Sequence, residues 1–190
     1  PASVKNKFSQ LFVAVLRCDY PQAWPQAFPQ LLATLQSGPV SIDLFLRVLN
    51  AVHEEVVSAE GNGYDGETAT RVKDGMRENC LPQLADAWLA ILGMHASAPA
   101  LTAACLRTVH LYVPWISIGL VANAQYLSML VPFMREPLLH EGACLVLTEL
   151  VLKRMEPTAK MEHLLRLNVV AVLADAAAGG VQLSPRFSEL

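Results

Sequence analysis

Few residues in this sequence have the types and spacing that chemistry needs, and each candidate set can be tested against the geometry its reaction requires. Gly61-Asn62-Gly63-Tyr64-Asp65-Gly66 spells GxGxxG, with Asp86 about twenty residues further on, as a dinucleotide-binding turn would ask. That turn needs a strand before the glycines and a helix after them to receive pyrophosphate, whereas a Leu- and Val-rich helical pattern precedes these. A loop between helices accounts for them better. His53-Glu54 begins like HExxH, but Val57 stands where the second histidine must be, so two imidazoles cannot meet a zinc ion from one helix face. His140 and Cys144 are four residues apart and share a face without further ligands. A buried thiol beside a histidine at the edge of the core fits them. Glu54 and Glu55 are sequence neighbours expected to point in different directions, and the chain has no GxSxG and no P-loop. No catalytic set, metal site or cofactor is expected.

A different pattern stands out in the segment from Ser41 to Glu55. Asp43, Arg47, Asn50 and Glu54 recur at i, i+4, i+7 and i+11, which draws one narrow polar stripe along a helix that is otherwise apolar nearly all round. A helix of this kind is packed on most sides and shows one line to solvent. Two readings fit: an inner helix lining a concave partner-binding face, or a simple i, i+4 pair between Asp43 and Arg47 with no further role. Lys153, Arg154 and Lys160 form a second candidate set across the turn at Pro157. Cations at a helix C-terminus favour its dipole, which explains the first two structurally; the functional alternative is contact with RNA phosphate at the turn.

The elements that must position these residues are helices. Apolar residues recur at three- and four-residue steps in Val4 to Cys18, Ala23 to Leu35, Ile42 to Val57, Ala69 to Met94, Ala100 to Val113, Leu120 to Met134, Leu138 to Met155 and Ala159 to Ala177. Gly38-Pro39 is expected to stop one helix, with Ser41 capping the next, and Glu156-Pro157 to separate the last two. Successive helix pairs start roughly 40 to 50 residues apart, the period of HEAT-like hairpins, so the expected fold is an all-α, HEAT-like helical-hairpin solenoid segment over residues 1–190.

Composition bounds what such a segment can do. The 190 residues are 53% apolar but only 16% charged, which excludes a disordered or polyelectrolyte chain. A net charge of -3 supplies no global attraction to nucleic acid or anionic lipid, so any RNA contact must be local. Thr108 to Met134 carries no formal charge over 27 residues, yet Pro114, Asn123, Gln125, Ser128 and Pro132 interrupt it, and no membrane insertion is expected. The four cysteines, Cys18, Cys80, Cys105 and Cys144, lack CxxC spacing and read as buried reduced thiols. The chain opens at Pro1 and ends at Leu190, and reads as a piece of something longer.

Asp19-Tyr20-Pro21-Gln22-Ala23-Trp24-Pro25, the stretch Ser41 to Glu55, Val72 to Gln83 with its Lys73-Asp74-Gly75-Met76-Arg77 core, and Trp115 to Asn123 follow one another in this order. Lys153-Arg154-Met155-Glu156-Pro157 and the closing Arg186-Phe187-Ser188-Glu189-Leu190 extend the series. Together they resemble the exportin-t family of tRNA export receptors, within the importin-β/karyopherin superfamily, over nearly the whole chain. The resemblance implies a HEAT-repeat segment from the N-terminal, exportin-1-like part of a longer receptor. It implies Ran-GTP, tRNA and nuclear pore proteins as partners, shuttling between nucleus and cytoplasm, and no enzymatic activity. Folded RNA would be held by shape and backbone rather than by sequence. Stripe geometry and local charge, not the resemblance, assign Asp43, Arg47, Asn50 and Glu54 to the concave face for Ran or another protein partner, and Lys153, Arg154 and Lys160 to RNA phosphate. A karyopherin carrying protein cargo and a scaffold without Ran dependence are the alternatives.

Overall fold

The structure, a computed structural model, describes residues 2–58 and 66–169 together with positions 174 and 178. Among the described residues it is all-α, built of nine helices packed as HEAT-like hairpins. The first compact unit, Pro1–Ile91, contains α1 (Ala2–Asp19), α2 (Ala27–Ala33), a 3-10 turn (Thr34–Ser37), α3 (Pro39–Val52), a π turn (His53–Val57), α4 (Gly66–Asn79) and nearly all of α5 (Leu81–Leu92). The second unit, Leu92–Leu190, contains α6 (Pro99–Tyr112), a 3-10 turn (Ile118–Leu120), α7 (Ala124–Phe133), α8 (His140–Leu152) and α9 (Pro157–Arg166).

In the first unit the apolar faces of α1 and α3 meet. Val13 and Leu16 from α1 and Phe45, Leu49 and Val52 from α3 are all sealed from solvent. Lys5 reaches Asp43 and Asn6 reaches Arg47, so the two helices lie side by side and run in the same direction. Equivalent helices of successive hairpins stack in this way in a solenoid. The Tyr20-Pro21-x-x-Trp24-Pro25 element makes the corner between α1 and α2, and the Tyr20–Pro21 peptide is cis. Tyr20 is fully buried and meets Phe28 edge-on, with centroids 5.2 Å apart. Trp24 packs against Phe12 with centroids 5.0 Å apart and the rings tilted by 55°, and donates from Nε1 to Gln30 Oε1 at 3.0 Å. Tyr20 thus anchors the element in the core, while Trp24 is half-buried and Pro25 exposed. Arg71 on α4 donates to the carbonyls of Arg17 and Cys18, capping the last turn of α1 with a cation that also suits its dipole.

In the second unit α6 and α8 approach closely at Gly142, where a β-carbon would stand 2.7 Å from that of Leu106. Leu106, Val109, Leu130 and Val146 fill the interior around them.

Several boundaries differ from expectation for identifiable reasons. Ala69 to Met94 is two helices: Pro82 has no amide hydrogen to donate back to the preceding turn, and it is tolerated in the first turn of a new helix, so α4 ends at Asn79 and α5 begins at Leu81. Gly38, at φ +102, precedes α3, and Pro39 takes the first helical position, so Ser41 lies inside the helix and does not cap it. Cys18 is exposed, whereas Cys80, Cys105 and Cys144 are buried free thiols. The glycine-rich positions 61–65, the C-terminal part of the last expected helix and Arg186 to Leu190 lie outside the described residues. Among the described residues no helix is long and apolar enough to cross a membrane.

Candidate functional site

The stripe on α3 is one wall of a polar groove, and α1 is the other. Arg47, Asn50 and Glu54 line it together with Asn6, Ser9, Gln10, Ala51 and Glu55, enclosing about 290 Å³. Asp43 lies at one end as the hub of an ion cluster. Its Oδ2 accepts from Lys5 Nζ at 2.6 Å and from Arg47 Nε at 3.0 Å, while Arg47 Nη1 donates to Asn6 Oδ1 at 2.9 Å. Partial burial alone would raise the Asp43 pKa. The hydrogen bonds and charges of Lys5 and Arg47 more than offset this, and hold its carboxyl below the usual carboxylate range. Arg47 is thus fixed in orientation with its guanidinium edge at the groove.

The far end of the groove is acidic. The chain leaves α3 through the π turn, whose i→i+5 bonds turn the backbone fewer degrees per residue than an α-helix. Glu54 and Glu55, both in this turn, line the groove. A cation at one end and two carboxylates at the other suit a protein surface of mixed charge.

The second candidate set is divided by the fold. Lys153 is only 8% exposed; its Nζ donates to the carbonyls of Val113 at 2.7 Å and Pro114 at 2.9 Å, just past the C-terminus of α6. The surface cation expected at position 153 is therefore an internal one. It satisfies carbonyls that a helix end leaves without partners, and places positive charge at the negative end of the α6 dipole. Extended backbone at Lys153, with ψ 127, sends the next side chain the opposite way, and Arg154 is exposed. Glu156 then caps α9, accepting from the amides of Thr158 and Ala159, and these bonds hold its carboxyl below the usual range. Lys160 follows on the first turn of α9, half-buried. Arg154 and Lys160 are the surface members of the set.

The remaining chemical candidates resolve structurally. His140 Nδ1 lies 2.7 Å from the carbonyl of Met134, to which it donates, and burial raises the pKa of the Cys144 thiol. Among the described residues no group of three or more His, Cys, Asp or Glu side chains could hold a metal ion.

Sequence reasoning missed the α1 half of the groove. Asn6 and Gln10 are four residues apart on α1, with Lys5 beside them, but they become a wall only when paired with a helix some forty residues away. It also missed an exposed apolar line on α1, Val4, Phe8, Leu11 and Val15, beside an apolar groove of about 360 Å³ bordered by Trp24, Ala27 and Leu31.

Comparison with known proteins agrees with this architecture. The family described as exportin 1-like protein matches residues 1–147. Exportin-T of Homo sapiens is 35% identical over 162 residues, covering 84% of this chain and 17% of that protein. Exportin-T of Arabidopsis thaliana is 37% identical over 183 residues, 90% of this chain and 18% of that protein. Exportin-T of Dictyostelium discoideum is 30% identical over 174 residues, 90% of this chain and 16% of that protein. The chain thus spans about one sixth of the length of the curated relatives it matches. A HEAT-like helical architecture, a family match across most of its length and similarity to exportin-T from animal, plant and amoeba lead to one conclusion: the chain belongs to the exportin 1-like family.

Proposed function

We propose that this chain is a single HEAT-repeat segment of a nuclear export receptor that binds tRNA together with Ran-GTP, carries it from nucleus to cytoplasm, and works as a carrier rather than an enzyme. The observation that carries the reading is the 30–37% identity to exportin-T over 84–90% of the chain. The receptor shuttles between the two compartments through contact with nuclear pore proteins. Within the segment, the groove of Asp43, Arg47, Asn50 and Glu54 takes Ran. Asp43 presets Arg47, and Glu54 with Glu55 meets basic side chains of the partner. Arg154 and Lys160 contact tRNA phosphate, a sequence-independent interaction that suits cargo read by shape. A few placed cations are enough on a chain of net charge -3, because Ran-GTP and the rest of the receptor contribute to the same complex.

The test is to assemble the complete receptor, Ran-GTP and tRNA, and to reverse charge at Arg47 and, separately, at Arg154 with Lys160. The reading expects Arg47→Glu to weaken Ran-GTP binding and Arg154→Glu with Lys160→Glu to weaken tRNA binding. Unchanged affinities in both folded variants would remove the site assignment. Retention of protein cargo instead of tRNA would replace the function.

A further inference from the structure

The Lys153 side chain is a buried cation forty residues in sequence from the carbonyls it holds. We propose that Lys153 is a positioning residue for RNA contact: by tying the α8–α9 turn to the end of α6, it sets where Arg154 and Lys160 stand. The inference rests on the RNA-contact reading above and adds a residue that itself touches no RNA.

The turn is pinned at both ends. At one end Lys153 places its ammonium on two successive carbonyls, Val113 and Pro114, and is nearly excluded from solvent. At the other end Glu156 accepts from the amides of Thr158 and Ala159, and Pro157 occupies the first position of α9. Only Arg154 and Met155 lie between these anchors. With Lys153 facing inward and the backbone extended there, Arg154 is held outward, and the start of α9 that carries Lys160 is fixed relative to it. Lysine suits this position because its ammonium is a compact cation with three donors on a long flexible stem, so it reaches two adjacent carbonyls at once. Removing it leaves the carbonyls of a helix end without partners and frees the turn. Two phosphate contacts whose spacing the turn defines then lose their preset geometry.

The experiment uses the complete receptor and measures tRNA affinity with Ran-GTP saturating, Ran-GTP affinity without tRNA, and the salt dependence of tRNA binding. Lys153→Met is expected to weaken tRNA binding on the order of fivefold, the scale of two displaced surface contacts. Its dependence on log salt should become shallower by about one to two. Ran-GTP affinity should stay unchanged, and Lys153→Arg should restore tRNA binding in part. Lys153→Gln, which keeps amide donors without charge, is the milder second variant should the methionine variant fold poorly, and amide exchange at Arg154, Met155, Glu156 and Thr158 should speed up in either. Arg154→Ala with Lys160→Ala is the reference. If that pair leaves tRNA binding intact, the RNA-contact reading itself fails. If the pair weakens tRNA binding but Lys153→Met and Lys153→Gln do not, or if they weaken Ran-GTP and tRNA binding equally, the positioning role is overturned and the RNA-contact reading stands.

Discussion

Gly75 on α4 lies so close to the Tyr20 ring that a β-carbon at position 75 would stand 2.8 Å from Tyr20 Cε1 and 3.0 Å from Pro21 Cγ. The Tyr-Pro corner therefore reaches its place only because the helix crossing it has no side chain there. Tyr20 cannot swing aside, since it is fully buried and held edge-on against Phe28. Gly75→Ala would gain about 1 kcal/mol of helix propensity. Overpacking costs typically about 1–3 kcal/mol, so the expected outcome is a net destabilisation of up to about 2 kcal/mol, read as a lower urea midpoint.

The second close approach permits a sharper test. At Gly142 the obstructing atom is the Leu106 β-carbon at 2.7 Å, which no rotamer change can remove. Gly142→Ala should destabilise in the native background, the overpacking cost of about 1–3 kcal/mol being offset by at most about 1 kcal/mol of helix propensity. Placed on Leu106→Ala, which trims the side chain but keeps the β-carbon, it should cost less, because the 3.2 Å contact with Leu106 Cδ1 disappears. Strict additivity in the double-mutant cycle would show that the two helices are not packed as described.

The ion cluster at Asp43 predicts a particular pH dependence. The Asp43 carboxyl is held below its ordinary value, so the stabilisation it supplies is fully present above the ordinary carboxylate range and is lost as pH falls through the depressed folded-state value. The pairs are partly solvent-exposed and screened, so Asp43→Asn should cost only about 0.5–1 kcal/mol. That difference should be constant from about pH 5 to 8 and shrink below about pH 4. Added salt should reduce it.

At the start of α9 the expected effect is local. Glu156→Gln removes the charge that Thr158 and Ala159 amides hold through their hydrogen bonds. Hydrogen exchange at these two amides should speed up in the variant, while amides inside α8 keep their protection. In the native protein the same loss should follow acidification, since the depressed Glu156 carboxyl must be protonated for its cap to weaken.

How much of this the sequence carried depends on the range of each interaction. The helices and the Asp43–Arg47 pairing were legible because both depend on neighbours three and four residues apart. The split at Cys80 was legible in principle from Pro82, but continuous apolar periodicity on both sides masked it. The π turn at His53–Val57 was not legible, nor was the lining of the groove by Glu55 as well as Glu54. The fate of Lys153 was beyond any local pattern. Lys153 and Arg154 are adjacent and chemically alike, and only two carbonyls at the end of α6 decide which is buried and which faces solvent. The same holds for Gly75 and Gly142, whose need for a missing side chain comes from residues far away in sequence.

The proposed coupling of tRNA to Ran-GTP is tested most directly by titrating tRNA into the complete receptor with Ran-GTP, with Ran-GDP and without Ran. Coupling between two ligands of one receptor is typically worth about 5–150-fold in affinity, so tRNA should bind at least about fivefold tighter with Ran-GTP than in the other two conditions. Equal tRNA affinity in all three, or no tRNA binding in any, would contradict the account.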